Sequence, residues 1–376
     1  MKEVAREAGV SVATVSRVIN GQGPIREATR RRIRRVVEKL RYAPHGAARS
    51  LITRETHTLG VLLPDLFGEF FSELIRGIDA TARRRGYHLL YSGSHGDRSE
   101  AEAMVRAMRG RVDGLIVLSP DGNRGALRAN VPENFPVVLL NSAGGGRSFD
   151  TIAVDNFGGA AAMVRHLAGL GHRRVAFIAG PPGNRDASER LRGYREAMRS
   201  VGEWSKELEI PGNFREEAGY EACARIRGLR PRPSAVFAAN DSMAIGLLYA
   251  CREAGLRAPE DLAIAGFDDI PIVRFITPSL TSVRVPIAEL GTCAAQRLLD
   301  VLGGKPAGRP RKVVLPTTLV VRDSCGAMLR RQARTAGSTG ARALAGQAPL
   351  KMSERVSRQK SATFDSFGKE GFHEAG

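Results

Sequence analysis

One arginine, one asparagine and several hydroxyl side chains follow one another near the amino terminus. Apolar residues at positions 12, 15, 18 and 19 recur with a period close to 3.6, which predicts a helix with Val15, Val18 and Ile19 directed inward. The outer face keeps five side chains: Val12, Ala13, Ser16, Arg17 and Asn20. An arginine fork can bond to guanine O6 and N7, and small hydroxyl and amide groups suit phosphate oxygens. The pattern therefore indicates a face that reads DNA.

Another short helical pattern precedes this one, with apolar residues at Val4, Ala5 and Ala8. Gly9 can adopt the positive φ that ends a helix, and Ser11 can cap the next helix by accepting from its free N–H groups. Two short helices joined by a tight glycine turn predict a helix-turn-helix, whose second helix enters the major groove. A helical hairpin inside a larger core is the alternative interpretation.

Positive charge is concentrated in this amino-terminal region. Residues 1–55 carry +8 of the net charge of +18, residues 326–376 carry +5, and the 270 residues between them carry the remaining +5. A third helix is predicted from about Glu27 to Leu40, with an apolar stripe on one side and arginines over the rest. Dense positive charge is the electrostatic signature of a phosphate-binding module, although a solvated basic face would give the same count.

The remaining composition argues against several classes of protein. The chain of 376 residues is long enough for two or three domains, and it lacks a run of about 18 apolar residues that would span a membrane. A charged helix follows Met1, so we expect no signal peptide and a cytoplasmic protein. Four cysteines lie far apart in sequence without a CxxC pair, which favours reduced structural thiols.

An enzyme on an open α/β fold is the rival functional class. Such an enzyme would need GxGxxG after the first strand, GxxxxGK[ST], or a GxSxG elbow, and the sequence contains none of them. Histidine pairs with metal-ligand spacing are also missing. We therefore expect no catalytic residues, no cofactor and no metal site.

From residue 58 the pattern becomes strand, helix, strand, helix. Short apolar runs such as LGVLLPD, GLIVLSP and VVLLNS alternate with helical stretches, and the alternation restarts at TIAVDN and continues to LAIAGFDD. Continuous apolar runs fit strands that are buried on both faces of a parallel sheet. The fold class is thus α/β, with two doubly wound lobes in tandem and a cleft between them. Residues 326–376 have no sustained period and are predicted to form a disordered basic tail.

The stretch VAREAGVSVATVSRVING resembles the DNA-binding headpiece of the lactose-repressor/galactose-repressor family. The similarity continues through RYAPHGAARSL, GVLLPD, VDGLIV, GHRRVAFIAGP and ERLRGY, and ends with AANDSMAIG and GFDD, so that it covers about residues 1 to 325. The resemblance implies a headpiece of residues 1–44, a hinge helix within residues 45–57, and a two-lobed domain of residues 58–325 like that of periplasmic sugar-binding proteins. It also implies three crossings between the lobes, the last two near Val285 and Leu315.

The family motif also implies which residues contact the operator. Val12 and Ala13 begin the recognition helix and meet base edges, where apolar groups can contact only thymine methyls. Arg17 reads guanine, whereas phosphate contacts are assigned to Ser11, Thr14, Ser16 and Asn20. In the hinge, Leu51 matches a leucine that opens a base step in the minor groove, and His45 and Ala48 complete the predicted contacts.

For the cleft, the resemblance implies seven effector contacts, which follow the strands at their carboxyl ends. They are Phe70, Phe71, Asn141, Arg190, Phe214, Asn240 and Asp268. Phe71 could instead belong to the core, and Asp241 and Asp269 are expected to be structural. Many members have aspartate in place of Asn141, so the missing charge argues against a strongly cationic ligand.

These expectations combine into one hypothesis, a transcriptional repressor that binds a palindromic operator as a homodimer. A small effector in the cleft, a sugar or a related metabolite, would change the pose of the lobes and so the DNA affinity, and it could act as inducer or as co-repressor. The headpiece and the missing signal peptide exclude a secreted sugar-binding protein. Two helices are expected to begin without a capping side chain, because Met1 and Arg26 occupy the cap positions.

Overall fold

Three helices form the amino-terminal headpiece of the computed structural model, which describes residues 1–19, 23–42, 55–95, 97–118, 124–141, 149–304 and 311–328. They are α1 (Lys2–Ala8), α2 (Val12–Ile19) and α3 (Glu27–Lys39). Gly9 has a φ of 59° and ends α1 as predicted, and the backbone N–H of Thr14 donates to Oγ of Ser11 at 3.1 Å. Neither Met1 nor Arg26 makes a side-chain cap bond, which also agrees with the sequence prediction.

A small apolar core holds these helices together. It consists of Val4, Ala5, Ala8, Val15, Val18, Ile33 and Val36, with Ile19, Val37 and Leu40 packed beside it. An exposed ion pair between Lys39 and Glu7 joins α3 to α1 at 2.6 Å. The helix-turn-helix therefore has its own small core. For these residues, a helical hairpin inside a larger core is excluded.

The first lobe is built around a six-stranded parallel sheet with the spatial order β11-β5-β4-β3-β1-β2. Its strands are β1 (Thr58–Leu63), β2 (His88–Gly93), β3 (Gly114–Leu118), β4 (Val137–Leu140), β5 (Asp150–Val154) and β11 (Lys312–Leu315). The helices around it are α4 (Glu69–Arg84), α5 (Arg98–Met108), α6 (Arg124–Asn130) and α11 (Ile287–Leu302). Most of these strands are apolar and buried because helices cover the sheet faces.

The second lobe has a sheet with the order β12-β10-β9-β8-β6-β7, parallel except for the β10–β12 pair. Its strands are β6 (Val175–Ile178), β7 (Glu209–Ile210), β8 (Ala235–Ala238), β9 (Ala263–Asp268), β10 (Thr281–Arg284) and β12 (Thr318–Val320). Its helices are α7 (Asn156–Gly169), α8 (Arg185–Val201), α9 (Glu216–Gly228) and α10 (Asp241–Glu253).

The chain passes between the lobes three times, after β5, near Val285 and after Leu315, and the last two crossings were expected. The strand–helix alternation restarts at TIAVDN, as the sequence pattern indicated, but this segment still belongs to the first lobe. Strand β5 from that segment pairs with β4 and β11 in the first sheet, and the second lobe begins only at Asn156. An apolar strand run does not encode which sheet it joins, since every buried strand here has the same pattern.

The edge of the first sheet differs from the sequence pattern, whereas the cysteines are free thiols as expected. Strand β2 is not buried on both faces, because it is an edge strand with an exposed Tyr91. Cys223 and Cys251 are distant in sequence, yet their sulfur atoms lie 3.9 Å apart between α9 and α10, and all four cysteines are free thiols. Within the described residues, no helix is both long and apolar enough to cross a bilayer.

Candidate functional site

The exposed face of α2 carries the side chains that the sequence assigned to DNA contact. Ser11, Val12, Ala13 and Arg17 are exposed, and Thr14 and Ser16 are half-buried. Val12 keeps 42% of its surface in solvent. The arrangement places Val12, Ala13 and Arg17 on the solvent side of α2, where they can meet a groove. Asn20, His45, Ala48 and Leu51 lie outside the described residues.

Ser11 has two roles in this geometry. Its Oγ caps α2 and also lies 2.9 Å from Oγ1 of Thr14. Two hydroxyl groups carry two hydrogens, and their mutual bond uses only one of them. One O–H therefore remains to donate to a phosphate oxygen, while the cap holds the amino-terminal end of α2 in place.

A cavity of about 500 Å³ lies between the two lobes at the carboxyl ends of the strands. The first lobe lines it from the segments after β1, β2 and β3, and the second lobe from those after β6, β7, β8 and β9. Both walls carry polar side chains, and the volume is typical of small-molecule sites. Six of the seven predicted effector contacts line this cavity, namely Phe70, Phe71, Arg190, Phe214, Asn240 and Asp268.

Arg190 on α8 is held at the base of the second-lobe wall. Its Nε donates to Oδ1 of Asn156 at 2.8 Å, and its Nη1 donates to the carbonyl oxygen of Ala239 at 2.6 Å. Its Nη2 forms an ion pair with Oδ1 of Asp268 at 2.9 Å, and its guanidinium carbon lies 3.8 Å from the centroid of the Phe267 ring. Protein groups thus fix the orientation of the guanidinium group.

Asp268 ends β9 and is only 5% exposed. Burial raises the pKa of this carboxyl group to about 6, against the opposing effect of Arg190. Its Oδ1 is buried without a well-aligned hydrogen bond, although Arg190 is close. Asp268 is nevertheless part of the cavity lining.

Asn240 and Phe214 are connected to each other. Oδ1 of Asn240 accepts from the N–H of Met243 at 3.1 Å and so caps α10, and its Nδ2 donates to the carbonyl oxygen of Phe214 at 2.8 Å. Phe214 has a φ of 71°. The amide therefore fixes a loop whose ring faces the cavity. Asn240 has a structural role that the sequence analysis did not foresee.

The aromatic rings on the first-lobe wall come from the first turn of α4. Phe70 and Phe71 pack edge to face with centroids 5.5 Å apart, and both also contact the main core. Phe71 therefore both packs against the core and lines the cavity.

Asn141 does not line the cavity but lies directly behind it. It is 3% exposed, has a φ of 49°, and donates from Nδ2 to Oδ2 of Asp186 at 2.9 Å. Asp186 also accepts from Nδ2 of Asn156 at 2.9 Å, and it lines the cavity. Burial raises the pKa of Asp186 to about 6, with Arg190 acting in the opposite direction.

Asp186 is the main residue that the sequence analysis missed. It stands four positions before Arg190, which places the two side chains on the same face of α8, and this spacing was the available signal. Its carboxylate lies beside Asn141, the position at which the resemblance implies an aspartate in many family members. The argument from Asn141 against a cationic ligand therefore fails, because Asp186 supplies a carboxylate at the same place.

Asp241 and Asp269 are structural, as expected. Asp241 accepts from the hydroxyl of Ser282 at 2.6 Å and from the N–H of Ile270 at 2.9 Å. Asp269 pairs with Arg284 at 2.7 Å and with Arg322 at 2.6 Å. These bonds join β9 to its neighbours and leave Asp268 as the carboxylate of this group that faces the cavity.

Comparison with known proteins agrees with this geometry. Residues 1–45 match the family model of bacterial regulatory proteins of the lacI family, and residues 164–325 match the periplasmic binding protein-like domain. The ribose operon repressor of Escherichia coli (strain K12) is 35% identical over 328 residues, covering 86% of this chain and 99% of the relative.

Two solved structures show the same architecture. The lac repressor dimer bound to operator and the anti-inducer ONPF has a TM-score of 0.77 at 28% identity, covering 86% of this chain and 97% of that one. The complex of the transcriptional regulator CelR with cellobiose has a TM-score of 0.66 at 31% identity, covering 86% and 98%. The chain therefore belongs to the LacI family and is a DNA-binding transcriptional repressor, not an enzyme, with a periplasmic-binding-protein-like effector domain.

Proposed function

We propose that the chain binds a palindromic operator as a homodimer, and that a sugar in the interlobe cavity changes its affinity for that operator. The observation that carries this proposal is the fixed Arg190–Asp268 pair, which faces a cavity of about 500 Å³ between two lobes. A charged pair that faces an enclosed space is suited to bind hydroxyl groups in a fixed orientation. Because its target is chromosomal DNA, we place the protein in the cytoplasm.

On the DNA side, we assign direct base reading to Arg17 and contacts with thymine methyls to Val12 and Ala13. Ser11, Thr14, Ser16 and Asn20 are assigned to phosphates. His45, Ala48 and Leu51 complete the proposal as minor-groove contacts of the hinge. The exposure of the α2 face supports the first part of this assignment.

Assembly as a homodimer is supported by exposed aromatic side chains of the second lobe. Phe275 keeps 76% of its surface exposed, and Tyr220 on α9 and Tyr249 on α10 lie 6.1 Å apart with both rings exposed. These exposed rings are candidates for burial in an interface between two copies. The lac repressor structure that this chain resembles is described as a dimer on its operator.

For the effector, three rings and the polar base of the cavity fit one carbohydrate. Phe70, Phe71 and Phe214 can pack against the apolar face of a sugar ring, while Arg190 and Asp268 bond to its hydroxyl groups. A relative regulates a ribose operon, and one similar structure is described with bound ribose. Ribose is therefore the first sugar to test, and cellobiose the second.

Coupling between the sites requires the sugar to bind one pose of the lobes better than another. We propose that this difference is transmitted to the hinge and headpiece, with a coupling of about 1–3 kcal/mol. Since the coupling can have either sign, the sugar acts as inducer if it favours the pose that releases DNA, and as co-repressor if it favours the other pose.

The test is fluorescence anisotropy with a fragment of the gene's own promoter, with and without ribose or cellobiose. We expect salt-sensitive binding that prefers a palindrome, and a change in Kd of about 5- to 150-fold with the correct sugar. Equal binding to promoter and random DNA would contradict the operator assignment. Selective DNA binding that no sugar changes would contradict the effector assignment alone.

A further inference from the structure

The base of the cavity is acidic. Within the described residues, five carboxylates line the cavity, namely Asp65, Glu69, Asp186, Glu216 and Asp268, against two guanidinium groups, Arg190 and Arg215. Both arginines already have carboxylate partners, because Arg190 pairs with Asp268 at 2.9 Å and Arg215 with Asp65 at 3.3 Å. Among these lining residues, neither guanidinium group is therefore unpaired and available to an incoming anion.

The wall at the base of the cavity also carries hydrogen-bond acceptors. Three of the five N–H groups of Arg190, and one of the two on Nδ2 of Asn240, already donate to protein groups. Oδ1 of Asn141, behind the cavity, is a buried acceptor without a hydrogen bond, and Oδ1 of Asp268 has only the ion pair with Arg190. Unsatisfied buried acceptors favour a ligand that donates.

Asp186 is the centre of this acceptor-rich wall. Its two oxygens take one amide bond each, from Asn141 in the first lobe and Asn156 in the second, so that each oxygen keeps a further lone pair. At neutral pH both Asp186 and Asp268 are mostly ionised, since burial raises the pKa of each only to about 6. The carboxylates of Asp186 and Asp268 outnumber the single guanidinium group of Arg190, so the base of the cavity has a net negative charge.

We propose that Asp186 is a specificity-determining residue, through which the cavity accepts non-anionic polyhydroxy effectors and rejects their phosphorylated or carboxylated derivatives. The proposal rests on the effector-binding function proposed above. An anionic group would meet Asp186 and Asp268, and no unpaired guanidinium group among the described lining residues would offset the repulsion. Like charges at an interface are strongly unfavourable. A hydroxyl group would instead donate to the open lone pairs of Asp186.

The test compares ligands that differ only in charge. Ribose is paired with ribose 5-phosphate, and glucuronamide with glucuronate, which has nearly the same shape as the amide. Binding to the full chain is measured by isothermal titration calorimetry at pH 7.5 and constant ionic strength. We expect the neutral member of a pair to bind more tightly than its anionic partner by about a hundredfold or more.

Two variants separate Asp186 from general charge effects. Asp186→Asn should reduce the discrimination within a pair by about tenfold. Glu217→Gln is the matched control, because Glu217 is exposed on α9 and does not line the cavity, and it should discriminate like the wild type. The wild-type comparison stands by itself if Asp186→Asn does not fold.

An anionic member that binds the wild type as tightly as its neutral partner would overturn the proposal. Unchanged discrimination in folded Asp186→Asn would overturn the role of Asp186. If neither member of any pair binds the wild type or Glu217→Gln, the effector-binding function itself fails, and the proposal fails with it. If the wild type binds only the neutral members, and Asp186→Asn discriminates less between the two members of a pair, both the effector-binding function and the role of Asp186 are supported.

Discussion

Arg190 is the side chain through which several elements meet at the cavity wall. It joins Asn156 at the start of α7, the carbonyl group after β8, and Asp268 at the end of β9. Each of these contacts fixes one edge of a planar group, so that little freedom remains to be lost when a ligand binds. At the residue scale, protein contacts therefore organise the cavity wall around Arg190.

The pKa of Asp268 leads to a pH prediction. Burial raises this pKa from 3.8 to about 6. Between pH 3.8 and about pH 6, Asp268 is therefore protonated in the folded protein but ionised in the unfolded chain. Ionisation of Asp268 thus costs stability as the pH rises through this window. From pH 4.5 to 7.5 we expect Asp268→Asn to gain stability relative to the wild type by about 2 kcal/mol.

Thermal or urea unfolding of both proteins across the pH range measures this difference. The test is the change of this stability difference with pH. Its absolute value also contains the loss of the charge partner of Arg190. A difference that stays constant from pH 4.5 to 7.5 would show that Asp268 titrates normally in the folded protein.

Arg17 leads to a prediction on DNA recognition. Arg17→Ala should weaken binding to the operator by about 1–3 kcal/mol per half-site, with little effect on random DNA. The matched control is Arg32→Ala, since Arg32 is exposed on α3 and outside the α2 face. It should weaken operator and random DNA alike. Equal losses on both DNAs in Arg17→Ala would mean that Arg17 contacts only phosphate.

At the scale of elements, α4 and α11 of the first lobe pack closely enough for their backbones to touch. A Cβ atom at Gly77 would lie 2.0 Å from the carbonyl oxygen of Ala288, and one at Gly291 would lie 2.4 Å from that of Leu74. Glycine at both positions permits the approach, and a larger residue would separate the helices. The α4–α11 pair is important because α4 also carries Phe70 and Phe71.

Gly77→Ala is therefore expected to destabilise the protein by about 1–3 kcal/mol through overpacking. The control is Gly169→Ala at the end of α7, where an added Cβ meets nothing within 4 Å and the higher helix propensity of alanine should be neutral or slightly stabilising. Urea unfolding measures both. A neutral Gly77→Ala would show that the two helices can separate without cost.

At the scale of the whole molecule, three contacts cross the cavity between the lobes in the described residues. Asp65 pairs with Arg215 at 3.3 Å, Glu69 accepts from the N–H of Ile272 at 2.9 Å, and Asn141 donates to Asp186 at 2.9 Å. All three hold the lobes in the pose described here. A ligand that strengthens or replaces them would shift the balance between poses.

Arg215→Gln tests this arrangement. The pair is exposed, so its loss should change the free energy of unfolding by less than about 1 kcal/mol. We expect a larger radius of gyration in small-angle scattering of the ligand-free protein, because one tether between the lobes is lost. Arg83→Gln is the control, since it removes a similar exposed pair with Asp79 inside α4. An equal radius of gyration in the two variants would refute the tethering role.

The sequence by itself determined the local structures whose causes lie within a few residues. Gly9 and Ser11 specify the turn and cap of the headpiece, and the apolar runs specify where the buried strands lie. The family motifs placed six of the seven predicted side chains at the cavity. Each of these inferences uses a periodic pattern or a residue type with one dominant conformational or chemical role.

Only the tertiary structure decided the relations between distant segments. Strand β5 joins the first sheet because β4 and β11 flank it, and its own apolar pattern would fit either lobe. Asp186 belongs to the cavity wall because Asn141 from the other lobe donates to it. The physical reason is that sheet membership, and the partner of a buried charge, depend on which chain segments meet after folding, and local sequence does not specify that meeting.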